Sequence, residues 1–308
     1  MLGILGSGFG LYGYLPAAVS LGLTPILLPT RYQKKLQTRQ ELIKFSKYIS
    51  WFDSDEALFK TATTLVVCRR PMDQFKNLPL YLVQPQLKKI VLEKPLATNP
   101  SQALQMLQSI KELGKQCTAG FTFRFSPWAV QLHKQLFDSV NASQEIWHLK
   151  WHFFAHHFLT EQPSWKRDHF EGGGALRFYG IHFIALLAEW GYCQVVSSEI
   201  TQTPDQGYVY WRATLWGPNL PMFKIDLNTR SSNTCFILHL ENQATTFYEG
   251  IGPFDSSIGK SLEAKLDPRC GYLQEVLSEV ALPNVAWPLR LFDAIKLWAL
   301  IESKTLIE

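Results

Sequence analysis

The chain has 308 residues, about twice the ~150 typical of one domain, so two domains are expected. Hydrophobic residues make up 46% and charged ones 18%, with 10 Trp and 20 Phe, which excludes a disordered or low-complexity polypeptide. The net charge of +4 conceals two opposed regions: residues 1–122 carry 15 Lys/Arg against 7 Asp/Glu, and 123–308 carry 15 against 19. The first region either handles something anionic or has a solvated basic surface. Tryptophan runs the other way, one before residue 123 and nine after it.

Over the first 120 residues short apolar runs alternate with amphipathic stretches, the pattern of βαβ units and a parallel sheet. Strands are predicted at Leu2–Leu5, Pro25–Leu28, Tyr48–Trp51, Thr64–Cys68, Lys89–Leu92 and Cys117–Phe121. Helices are predicted around Tyr14–Leu21, Tyr32–Ser46, Ser54–Thr61, Met72–Gln84 and Ser101–Gly114. In the last of these, Pro100-Ser101 offers a start, Ala103, Leu104, Leu107 and Ile110 recur at helical spacing, and Gly114 offers a stop. After Arg124 come longer segments rich in Trp, Phe and β-branched residues: Glu145–Phe154, Gln194–Thr201, Tyr208–Trp216, Met222–Asn228, Thr234–Leu240 and Thr245–Tyr248. Their alternation fits an antiparallel sheet with one covered face. An apolar helix at Ala175–Trp190 interrupts them, and another at Leu289–Ile301 closes the chain. The expected fold is therefore α/β plus α+β, with a doubly wound parallel sheet over 1–122 and an open, predominantly antiparallel sheet with helices on one face over 123–308.

Cys68, Cys117, Cys193, Cys235 and Cys270 are odd in number and widely spaced, with no C-x-x-C pair, so reduced thiols are expected rather than a disulfide framework or zinc knuckle. No basic leader precedes the first apolar run and no stretch approaches the ~20 apolar residues of a membrane span. A soluble cytoplasmic protein is the expectation. Six of the eight His lie between His148 and His182. On a strand, however, His148, His152 and His156 would span ~27 Å at ~3.4 Å per residue, too far for one metal, so none is expected. The basic excess has a better explanation than nucleic acid.

That explanation is the loop Gly6-Ser7-Gly8-Phe9-Gly10, set between the first strand and a helix. Such a loop lets backbone amides approach a pyrophosphate at the helix N-terminus. Leu11 takes the third glycine position of G-x-G-x-x-G. After the second strand an acid would bind the ribose 2′-hydroxyl of NAD, and Arg would suit the 2′-phosphate of NADP. Here Pro29-Thr30-Arg31-Tyr32-Gln33-Lys34-Lys35 follows, with no acid before Glu41. Thr30 and Arg31 can bind a phosphate and Lys34 or Lys35 can add charge. NADP is expected over NAD, a solvated basic helix start being the bland alternative.

Glu93-Lys94-Pro95 ends the fifth strand, where ligands of open parallel sheets sit. Together with the loop and with Glu171-Gly172-Gly173-Gly174-Ala175-Leu176 and Gly180-Ile181-His182, it resembles the glucose–fructose oxidoreductase / inositol dehydrogenase / rhizopine-catabolism family of NAD(P)-dependent oxidoreductases. The resemblance extends over nearly the whole chain. It implies a Rossmann domain, then a sheet domain serving substrate binding and oligomerisation, with a sugar or polyol in the cleft between them. It also implies that Lys94 meets the reacting oxygen and the nicotinamide region beside Glu93, and that His182 is an acid/base candidate. The family pattern has an acid four residues before the histidine. Phe178 stands there, removing a hydroxyl anchor and making the pocket more apolar.

Arg69-Arg70-Pro71 follows the fourth strand, where Arg69 can contact phosphate or an anionic substrate, or lie on the surface. Arg124 can line the cleft. Trp165 and Lys166 are specificity candidates, Trp165 stacking on a sugar or serving the core. The sequence thus predicts a homo-oligomeric oxidoreductase that transfers hydride between nicotinamide and a carbonyl or secondary alcohol of a sugar, cyclitol or related molecule. The rival reading is a non-catalytic NADP(H)-binding sensor or partner subunit. A third has a tightly held nucleotide used transiently in elimination or epimerisation.

Overall fold

In a computed structural model, residues 1–138, 145–159, 164–203, 207–241, 246–254, 266–281 and 288–307 are described. Two compact units emerge: Met1–Leu96 with Leu104–Thr122 and Ser257–Pro288, and Ala97–Ala103 with Phe123–Ser256 and Leu289–Glu308. The first unit breaks off at Thr122, and the segment containing 266–281, expected in the second domain, groups with the first unit.

The first unit holds a six-stranded parallel sheet ordered β3-β2-β1-β4-β5-β6. Its strands are β1 (Leu2–Leu5), β2 (Ile26–Pro29), β3 (Ile49–Phe52), β4 (Thr64–Val67), β5 (Lys89–Leu92) and β6 (Gln116–Ala119). The near-continuous apolar runs of β1, β2, β4 and β5 are buried because helices cover both faces of such a sheet. Strand order reverses between β1 and β4, the switch point at which an open parallel sheet binds ligands beyond its carboxyl ends. A wide turn at Gly10–Tyr14 feeds α1 (Leu15–Ser20).

The single helix expected over Tyr32–Ser46 is instead a 3₁₀ turn at Thr30–Tyr32, then α2 (Gln33–Gln37) and α3 (Gln40–Ile43). The Thr38 hydroxyl bonds back to Lys35 O at 2.8 Å, and Arg39 is extended at φ −116°, which ends α2. Further helices are α4 (Asp55–Thr61), α5 (Pro71–Leu82) and α6 (Pro100–Glu112).

The second unit's seven-stranded sheet is mostly antiparallel, ordered β12-β11-β7-β10-β9-β8-β13. After α7 (Pro127–Asp138) its elements are β7 (Ile146–Phe154), α8 (Ile181–Glu189), β8 (Gln194–Gln202), β9 (Tyr208–Trp216), β10 (Met222–Asn228), β11 (Arg230–Leu240) and β12 (Thr246–Gly250). Then α9 (Cys270–Ala281) belongs to the first unit, and α10 (Leu289–Lys304) with β13 (Thr305–Ile307) completes the second. Thr245, the expected start of β12, lies outside the described residues.

Two pairs, β7 with β10 and β8 with β13, run parallel. Strand burial alternates: Trp147, Leu149 and Trp151 face inward with Phe223, Ile225, Leu227, Phe236 and Leu238. Ring contacts from Trp128 of α7 and Phe183 of α8 to Phe236 lay these helices on that inner face. The helix expected over Ala175–Trp190 begins as a wide turn, Ala175–Gly180. Helices α7 and α9 and strand β13 are not among the predicted elements.

Candidate active site

The first unit's site is built around the loop after β1. Gly6 has φ +126°, and a Cβ there would overlap the backbone carbonyl of Cys68 at the end of β4, so the loop crosses the switch point against the neighbouring strand. Gly10 packs on Ile4, whose methyl would lie 2.9 Å from an added Cβ. At Gly8 a Cβ would meet nothing within 4 Å. Neither packing nor a positive φ requires glycine there, as expected of a cradle that a phosphate enters. The residues therefore fit a dinucleotide at this loop.

Beyond β2, Tyr32 turns back to accept the Gly6 N–H at 3.0 Å, and the Lys35 ammonium reaches Ser7 Oγ at 3.5 Å. Lys34 is exposed beside it. The Thr30 hydroxyl donates to Asp53 Oδ1 at 2.8 Å. Arg31 lies over the Tyr32 ring, 5.0 Å from its centroid, and pairs with Asp55 Oδ1 at 2.7 Å. Arg69 takes the other oxygen, Oδ2, also at 2.7 Å. Burial works against the charge on Arg69, but Tyr81 and Asp55 outweigh it and hold the guanidinium protonated. Arg31 and Arg69, distant in sequence, thus meet at one carboxylate. Asp53 and Asp55 were missed by the sequence argument, which sought an acid only after β2.

At the end of β5 the Glu93-Lys94-Pro95 turn is fixed by two side chains. Tyr14 donates to Glu93 Oε2 at 2.9 Å, and the Gln74 amide donates to the carbonyls of Glu93, Pro95 and Leu96 at 2.9, 3.1 and 3.2 Å. Gly120 leaves room for this, since a Cβ there would overlap Glu93 Oε2. The Lys94–Pro95 peptide is cis. Burial pushes the Glu93 carboxyl up, while Lys94, the Tyr14 hydrogen bond and Arg269 pull it back. Burial, then Glu93, holds the Cys68 thiol well above its ordinary range, so it is no thiolate.

Arg269 arrives from the segment leading into α9. It forks onto Asp267 through Nε and Nη2, both at 2.8 Å, with its guanidinium 4.2 Å from the Phe9 centroid. Phe9 is in edge contact with Tyr12 and Tyr14. No local signal marked this cation as a neighbour of the glycine loop.

In the second unit the glycine run has internal reasons. A Cβ at Gly173 would overlap the carbonyl of Trp165 and meet Lys166, and Gly172 and Gly174 have φ +88° and +79°. The Gly174 N–H bonds Lys166 O at 2.9 Å. The turn thus brings Trp165, Lys166 and Phe178 together: Trp165 meets Phe178 edge-on at 5.3 Å, and the Lys166 ammonium stands 5.3 Å from the same ring centroid. Tyr179 lies 3.4 Å from His157 Nδ1. Burial, then Lys166 and Arg167, lowers His157 to about 4. His182 is buried and stacked on Phe123 at 4.4 Å, and Arg124 pairs with Glu189 at 2.6 Å. Arg124 is therefore held by Glu189 at the end of α8.

No family model matches the chain. It is 21% identical over 130 residues to "Putative oxidoreductase YteT" of Bacillus subtilis (strain 168), across 42% of this chain and 28% of that relative. Among solved structures, KijD10, a 3-ketoreductase from Actinomadura kijaniata in complex with NADP and TDP-benzene, superposes with a TM-score of 0.69 at 16% identity. That match covers 99% of this chain and 98% of that one. The WlbA dehydrogenase from Bordetella pertussis, in complex with NADH and UDP-GlcNAcA, gives 0.75 at 14% identity over 98% and 93%. The chain has the fold of these oxidoreductases, so the family resemblance of the sequence is matched at the level of the fold.

Proposed function

We propose that this chain is an NAD(P)-dependent oxidoreductase acting on a carbonyl or secondary alcohol of a sugar, cyclitol or related small molecule, with NADP preferred and NAD admitted. One observation carries the reading: the Glu93-Lys94-Pro95 turn is pinned at the carboxyl edge of a parallel sheet by Tyr14, a residue of the glycine turn itself, and by Gln74. Catalytic groups need such fixation, because small misplacements are expensive in rate.

A reduced nicotinamide held at the Gly6–Gly10 loop would supply the hydride for the carbonyl carbon. Lys94, as an ammonium, donates a hydrogen bond to the carbonyl oxygen and transfers its proton as that oxygen becomes an alkoxide; in the alcohol-oxidising direction the neutral amine takes the proton back. His182 is the second acid/base candidate, its ring orientation fixed by Phe123. Arg31 and Arg69 support the preference for a 2′-phosphate. Lys166 and Trp165, gathered on Phe178, give a substrate surface a cation and aromatic faces where the family pattern has an acid.

The test is NAD(P)H oxidation across keto-sugars, cyclic ketones and nucleotide-linked keto-sugars. Turnover on one of them, lost by about a thousandfold in Lys94→Ala with nucleotide affinity retained, is the expected result. The second reading, a nucleotide-binding sensor without turnover, is favoured by Phe178. Tight binding with no turnover anywhere, and no effect of Lys94→Ala, would establish it.

A further inference from the structure

We propose that Asp55 is the residue that sets the choice of nucleotide, by occupying the two arginines that a 2′-phosphate would otherwise engage. This rests on the dinucleotide reading above. Strands β2 and β3 run parallel in register, Leu28 beside Trp51 and Pro29 beside Phe52. The residues beyond them, Thr30 and Arg31 on one side and Asp53 to Asp55 on the other, therefore emerge at the same edge. Arg69, two residues beyond β4, closes the group.

Asp55 gives one oxygen to each guanidinium, both at 2.7 Å. Arg31 is about half exposed, at 48%, against 27% for Asp55 and 21% for Arg69. Arg31 can therefore swing to a ligand, while the Asp55–Arg69 pair is the better-held half. A carboxylate in this position does two things to a phosphate dianion. It repels the dianion directly, and it neutralises one of the two cations that would bind it. It does neither to a ribose hydroxyl, for which Asp53, already accepting from Thr30, is a ready acceptor. The basic stretch Thr30 to Lys35 thus attracts a 2′-phosphate while Asp55 opposes it, and the 2′-hydroxyl form remains competitive.

The experiment is calorimetric titration of NADPH and of NADH into the full chain as wild type, Asp55→Asn, Arg31→Ala and the double variant, at low and high salt. Asp55→Asn is expected to tighten NADPH by about tenfold, leave NADH within about threefold, and lose its gain at high salt or when Arg31 is also removed. Asp55→Ser is the second variant should the amide perturb the start of α4, and thermal melts verify that each protein is folded. NADPH affinity unchanged or weakened in both variants overturns the inference. So does weakened NADH with unchanged NADPH, which would make Asp55 a ribose acceptor instead. If neither nucleotide binds the wild type, the dinucleotide reading itself fails.

Discussion

The chain contains two glycine-rich turns, one in each unit, and their glycines answer to different neighbours. In the second unit, Gly173 yields space to the Trp165–Lys166 backbone, while Gly172 and Gly174 take backbone conformations that side chains resist. All of that demand comes from the protein itself. In the first unit, Gly6 and Gly10 are likewise fixed by Cys68 and Ile4, but Gly8 faces open space. Gly8 therefore owes nothing to packing, and at the strand-to-helix turn this leaves its backbone open to the nucleotide proposed above, so identical residue types at two turns carry different information.

The strongest way to break this contrast is Gly173→Ala. The added methyl would be driven into backbone rather than into a flexible side chain, and a loss of about 3 kcal/mol is expected in denaturant unfolding of the second unit. An unshifted midpoint would remove the structural half of the comparison.

A pH titration of stability probes the same neighbourhood. His157, lowered to about 4 by burial and then by Lys166 and Arg167, and His169, lowered to about 3 by burial and then Arg177, stay neutral in the folded protein. Below the ordinary value of about 6.5 the unfolded chain binds protons that the native state does not. Stability is therefore full above about pH 6.5 and falls as pH drops, levelling below the two folded values, with up to about 2 kcal/mol lost per histidine after allowance for partial exposure. His157→Gln should flatten this slope in part; an unchanged slope would show that His157 already titrates normally.

Gly8→Ala tests the other half. Melting should be unaffected, whereas NADPH should bind about tenfold more weakly, roughly 1.4 kcal/mol. A stability loss without a binding loss would reverse the assignment of that glycine. The smallest effect is expected for Lys166→Met, which removes the cation from Phe178 for about 0.5–1 kcal/mol. A double-mutant cycle with Phe178→Leu showing no coupling would mean that the Gly172–Gly174 turn gathers these residues without binding them to one another.

Much of the fold was legible in the sequence. Lys89–Leu92, Tyr208–Trp216 and Met222–Asn228 were read to the residue, because an apolar run or a strict alternation is a local property that burial on two faces or one enforces directly. Helix α9 escaped because its amphipathic pattern lies far from the unit it joins, and the long helix expected after Arg31 was broken by Thr38 bonding back onto the helix. The glycine loop and Glu93-Lys94-Pro95 could be placed at strand ends from spacing alone. Their supports, Tyr14 and Gln74, could not.

What the sequence determined by itself was the alternation of strands and helices, the two glycine turns and the strand-end lysine, each written within a few residues. What only tertiary structure decided was which distant groups share a charge or a ring. Asp55 reached Arg31 and Arg69 because parallel strands end at one edge, and Arg269 reached Phe9 because α9 packs on α1 and the glycine turn. Strand order and helix docking are set by the total burial of the chain. They leave no local spacing from which the partners of these charged groups can be read.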